Sequence, residues 1–109
     1  MNSERFEKVL DDRLNLCVNV LTKKADEYAT DDRLHNFKVA AQLQGVDPIT
    51  ALGGMMCKHT VSIYDLIRDN EKGKDIPMEL WDEKIGDSIN YLLLLTALII
   101  ESKEAANNG

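Results

Sequence analysis

On the stretch "WDEKIGDSINYLLLLTALII", residues 81–100, a charged helix face runs directly into nearly unbroken hydrocarbon. Glu79, Glu83 and Asp87 follow one another at four-residue intervals, with Asn90 and Tyr91 one turn on, so a helix would carry them on one face. Carboxylates stacked in this way repel each other unless a cation or a basic neighbour is close. A hard cation such as Mg²⁺ takes oxygen ligands and commonly shares them with a phosphate. Glu79 and Glu83 also read simply as acids at the positive end of a helix, pointing into water. Asp87 differs, because Ile85 and Ile89 flank it where the helix turns inward, and a carboxylate there needs a partner.

Partners exist upstream. Lys58, Ser62, Asp65 and Asp69 share one helix face, with His59 beside it. Lys58-His59 in the middle of an otherwise apolar helix can meet Asp87 or a phosphate. Lys24, Glu27 and Tyr28 form a similar polar cluster at an apolar edge, and Asn36 opens the helix that follows. Singly these residues are ordinary. Together, polar groups at the inner edges of several helices point to one shared pocket.

Other chemistries drop out. The chain has no Gly-rich phosphate loop after a strand, no HExxH, no nucleophile elbow and no zinc spacing of cysteines. Cys17 and Cys57 lie in apolar helical patterns and read as reduced core residues. The net charge of −6 argues against a nucleic-acid polymer as partner but leaves room for a small phosphorylated ligand. No apolar signal region opens the chain, which predicts a cytoplasmic protein, and the run 91–100 is too short to span a bilayer.

The elements that must position these residues are helical throughout, in one all-α domain over 1–109 with frayed ends at 1–3 and 104–109. A stripe of Phe6, Leu10, Leu14, Cys17, Leu21, Ala25 and Tyr28 predicts a first helix from Ser3, as its cap, to about Ala29. A short second helix carries Phe37, Val39, Ala40 and Leu43 and ends at Gly45. Asp47-Pro48 starts a third helix reaching roughly Arg68. Gly53-Gly54 inside it costs about 1 kcal/mol per Gly relative to Ala, which predicts close approach of another backbone or a ligand. Pro77 opens the last helix, ending near Lys103. That helix of roughly 26 residues is ~39 Å long, against a diameter near ~34 Å for a compact chain of this size. One copy cannot cover it all round, so a homo-oligomer, dimer or higher, is expected.

The segment "KKADEYATDDRLHNFKVAAQLQGVDPITALGGMMCKH", followed by "WDEKIGDSINYLLLL", resembles small phage and prophage proteins related to the MazG-like, all-α nucleotide pyrophosphohydrolases, some of them termed nucleotide-modification-associated domains. The resemblance covers roughly residues 19–101, chiefly Glu27-Tyr28, Asn36-Phe37, Lys58-His59 and Asp87-xx-Asn90-Tyr91. It implies a four-helix, MazG-like bundle with long first, third and fourth helices, completed by oligomerisation. Active members carry an ExxE motif on one core helix and ExxD on the next, which bind Mg²⁺. Asp87 matches the last of these carboxylates, but Lys84 stands three residues before it, and Lys58 and His59 stand where the first motif is expected. Literal matches at Glu4/Glu7 and Glu79/Asp82 fall at helix starts instead.

Loss of several carboxylates weakens a multi-Mg²⁺ site, and Lys and His in their place favour direct phosphate binding. The resemblance therefore implies a phage-encoded nucleotide-binding protein that sequesters a nucleotide, such as a host immune signal, without robust hydrolysis and with no required cofactor. Lys58 and His59, with Lys24 or Arg33, would meet phosphate, and Asn36, Asn90 and Tyr91 base or ribose, with Glu27, Tyr28 and Asp87 in the same pocket. Two alternatives stand beside it: a divergent Mg²⁺-dependent pyrophosphohydrolase with Glu27, Glu83 and Asp87 as metal ligands, and a helical protein-interaction module.

Overall fold

The computed structural model describes residues 1–25 and 31–108, with side chains in the first helix described up to residue 23. Within these bounds every regular element is an α-helix: α1 (Ser3–Ala25), α2 (His35–Gln44), α3 (Pro48–Glu71) and α4 (Met78–Asn108). The chain divides into two compact units, Met1–Asp31 and Asp32–Gly109.

The first unit is α1. Its cap is Asn2, one residue earlier than expected, whose Oδ1 accepts from the Arg5 amide at 2.8 Å. Ser3 is the first helical residue. Lys8 and Asp12 pair one turn apart at 3.1 Å, and Phe6, Leu10 and Leu14 of the apolar stripe are exposed. The expected continuation to Ala29 lies outside the described residues.

The second unit is built by α2, α3 and α4. Asp32, rather than Asn36, sets the start of α2: its Oδ1 accepts from the Leu34 amide at 2.9 Å, and its carbonyl from the His35 amide at 3.1 Å. Asx-type bonding of this kind organises a turn just ahead of a helix. Asn36 is instead an exposed residue of the first turn. Gly45 closes α2 in the left-handed region, with φ of 69°, and its N–H donates to the Ala41 carbonyl. Asp47 caps α3, its two oxygens accepting from the Thr50 amide at 2.9 Å and the Thr50 hydroxyl at 2.8 Å. Pro48 then occupies the first turn, where its missing N–H costs nothing.

The core joins Leu34 and Phe37 from α2, Leu52 from α3 and Leu98 from α4, with Met55, Met56, Tyr91, Leu94 and Leu95 packed around them. α4 runs to Asn108, beyond the expected end at Lys103, because the tail supplies Glu104, Ala105 and Ala106, all good helix formers. Its 31 residues make a rod of ~46 Å, which strengthens the mismatch with a compact chain. By length and composition it is the one helix among the described residues that is apolar enough to cross a membrane.

Among the described residues nothing approaches Gly53-Gly54 closely. Both lie on an exposed face, and a Cβ on either would meet nothing within 4 Å. Gly53→Ala and Gly54→Ala are each expected to raise stability by about 1 kcal/mol through the helix propensity alone. Thermal unfolding reads this as a rise of roughly 4–8 °C per kcal/mol. A loss of stability or of oligomer on substitution would show that something beyond the described neighbours packs against this pair.

Candidate functional site at the α3–α4 seam

Two of the residues singled out on α3 and α4 meet. His59 Nδ1 stands 3.6 Å from Asp87 Oδ2, within ion-pairing reach but beyond a direct hydrogen bond. Asp87 thus has the partner its position demands, and that partner is His59 rather than Lys58. The pair forms a wall of the site, with the His59 side chain mostly covered and that of Asp87 about a third exposed.

Tyr91 fixes the imidazole from the other side. The His59 and Tyr91 ring centroids lie 4.6 Å apart at 38°, and Phe37 meets Tyr91 edge-on at 6.1 Å and 78°. One aromatic chain therefore runs from α2 through α4 to α3. Tyr91 is a wedge within it rather than a bare platform.

Asn90 sits one position back on the same helix, only 7% exposed. Its Oδ1 has no hydrogen-bond donor among the described residues, and neither has the buried Ser88 hydroxyl. Leaving a buried amide oxygen unmatched costs about 1–3 kcal/mol, so a complementary donor is the natural complement of this position.

The remaining sequence candidates occupy the rim or fall elsewhere. Lys58 is exposed and makes no ion pair among the described residues, although its carbonyl accepts from the Ser62 hydroxyl at 3.0 Å. Asn36 is exposed on α2 and Arg33 is half-buried just before it. Glu79 and Glu83 both face solvent, and Glu83 Oε1 stands 3.8 Å from Lys84 Nζ. The side chains of Lys24, Glu27 and Tyr28 lie outside the described residues, so a metal set built on Glu27, Glu83 and Asp87 is described only at its last two members. Among the described residues no three His, Cys, Asp or Glu side chains come together as metal ligands. Cys57 is exposed, not a core residue as expected, and both cysteines are free.

Sequence reasoning passed over a second polar cluster. Lys38 Nζ is held between Asp32 Oδ2 at 2.6 Å and Glu101 Oε1 at 2.5 Å, tying the start of α2 to the end of α4. The Lys38 ammonium, then the Leu34 amide, holds the Asp32 carboxyl below its usual value. Asp32, then Glu101, raises the Lys38 ammonium above its own.

These directions fix the sign of the pH dependence. Asp32 stabilises the fold above the unfolded value of 3.8, and that contribution disappears as pH falls through the lowered folded value. Lys38 contributes fully below 10.5 and loses its contribution as pH rises through the raised folded value. All three groups are a third or more exposed, so the clip is a surface network worth about 0–1 kcal/mol per pair. Lys38→Met is expected to reduce stability modestly at pH 7 and to leave it unchanged at pH 2, as measured by urea unfolding.

Beside the clip lies an open cavity of about 360 Å³ between the start of α3 and the end of α4, floored by Ile49, Leu98 and Ala105. Its charged groups, Lys38, Asp47 and Glu101, are already bonded within the chain or to one another.

The described residues are therefore all-α, with polar and aromatic side chains meeting on the α3–α4 seam as a candidate site. No family model matches the sequence, and neither a curated protein nor a solved structure matches it.

Proposed function

We propose that the α3–α4 seam binds a nucleotide and holds it without robust hydrolysis. The observation that carries this reading is the buried Oδ1 of Asn90, without a donor among the described residues and one helical turn along α4 from Asp87 of the His59–Asp87 pair. A carboxamide offers an acceptor and two donors in one plane, which suits the edge of a nucleobase. Asp87, an acceptor when ionised, suits ribose hydroxyls or a base N–H. The phosphate falls to Lys58 at the rim and to His59 when protonated, with Arg33 as a further cation at the α2 start. Tyr91 acts by packing His59 into place, and Asn36 stands at the α2 edge. The resemblance to MazG-like proteins supports the ligand class, and the placement of Lys58 and His59 where acids are expected supports binding over metal-assisted cleavage. Sequestration by a homo-oligomer is the function this combination suits.

The test is to incubate the purified protein with a panel of linear and cyclic nucleotides, with and without Mg²⁺, then recover and identify what is bound. An intact nucleotide retained in both conditions is expected. Steady release of pyrophosphate or a monophosphate, abolished by Asp87→Asn, would establish a pyrophosphohydrolase instead, and retention of nothing would remove the ligand.

A further inference from the structure

On the α3–α4 seam, hydrogen-bond acceptors outnumber the donors that reach them. Asp87 holds its carboxylate on a side chain about a third exposed, and no described residue donates a hydrogen bond to either oxygen. His59 Nδ1 stands 3.6 Å from Oδ2, too far for a normal bond. Asn90 comes three positions later on α4, a spacing that sets Cβ atoms about 5–6 Å apart on a helix. It is 7% exposed, and its Oδ1 also lacks a donor among the described residues. Three oxygens within one helical turn therefore call for three hydrogens, and two of those oxygens lie side by side on one planar carboxylate.

A ligand complementary to this set places donors on adjacent atoms. Among the common nucleobases only guanine does so, with N1–H beside the N2 amino group and all three hydrogens in one plane. Adenine and cytosine each carry one amino group next to a ring nitrogen, whose lone pair would face the second carboxylate oxygen and repel it. Uracil and thymine offer a single N–H between two carbonyls. The ribose of a 5′-nucleotide brings at most two hydroxyl hydrogens, one fewer than the set accepts.

We infer that the base held on this seam is guanine, with Asp87 accepting from N1–H and one N2 hydrogen, and Asn90 Oδ1 accepting the other. The inference rests on the nucleotide reading above and adds the base to it. Asp87 and Asn90 are then the residues that determine specificity.

Isothermal titration with the 5′-diphosphates of guanosine, inosine, adenosine and xanthosine tests it. Guanosine diphosphate is expected to bind about 5- to 150-fold more tightly than adenosine diphosphate, the discrimination that a bidentate base contact supplies. Inosine lacks only the N2 amino group and is expected between the two. Asp87→Asn turns one acceptor into a donor, which suits the carbonyl that xanthine carries in place of that amino group. Within this variant the preference is expected to invert to xanthosine over guanosine. A ratio taken within one variant does not depend on its folded fraction, so loss of stability does not obscure it. Equal affinity for the guanosine, inosine and adenosine compounds overturns the guanine assignment and leaves the nucleotide reading standing. A guanosine preference unchanged in Asp87→Asn overturns it likewise, as does binding of other nucleotides with none of these four. No binding across the whole nucleotide panel removes both.

Discussion

Lys58→Ala is expected to weaken nucleotide binding by about 10- to 150-fold while leaving the melting temperature within a degree or two of the parent. The size follows from a charge-assisted hydrogen bond to phosphate, about 1.5–3 kcal/mol, at 1.4 kcal/mol per tenfold. The silence in stability follows from where the residue stands. Lys58 is exposed and pairs with no acid among the described residues, so its loss strands no buried charge. Had it been the partner of a buried Asp87, removal would have cost ~3–5 kcal/mol. Isothermal titration beside thermal unfolding separates the two outcomes. Unchanged affinity with a large drop in melting temperature would assign Lys58 a structural role.

Leu52→Ala should do the reverse. Leu52 is completely enclosed, at the centre of the cluster joining α2, α3 and α4. Truncating a leucine in such a place removes transfer energy and leaves a cavity, for about 2–5 kcal/mol. Against a typical total of ~5–15 kcal/mol this is a large share, and urea unfolding should show the midpoint falling sharply. Its effect on ligand affinity should come only through the folded fraction. A loss below 1 kcal/mol would mean that the three helices do not depend on this contact.

The helical frame was largely legible because its signals are local. Asp47-Pro48 states a helix start by chemistry confined to a few residues, and Gly45 states an end by the backbone it permits. The pairing of Asp87 with the Lys58-His59 step was legible in outline, since a carboxylate among isoleucines must find a cation. Which of the two cations it meets depends on the rotation of α3 against α4, and that is set by Met55 and Met56 of α3 and Tyr91, Leu94 and Leu95 of α4 packing around the cluster of Leu34, Phe37, Leu52 and Leu98.

The contact of Lys38 with Glu101, 63 residues away, left no trace in the sequence. Lys38 reads as one more charge on a short helix until α4 brings Glu101 against it. The division of α4 into two faces was half visible: the run 91–100 showed that both sides are apolar, but only the packed structure assigns Leu98 inward and Ile99-Ile100 outward. Gly53-Gly54 was read as a close approach, yet no described residue comes within 4 Å of a Cβ built there.

The central claim is that the Asn90 carboxamide and the His59 imidazole line a nucleotide site. The side-chain NH₂ signals of Asn90 and the ring signals of His59 report on it directly by NMR during titration with the nucleotide panel. At least one nucleotide should shift both sets of signals along a single saturable curve. Saturable binding that leaves Asn90 and His59 unmoved, or the absence of any saturable binding across the panel, would contradict the account.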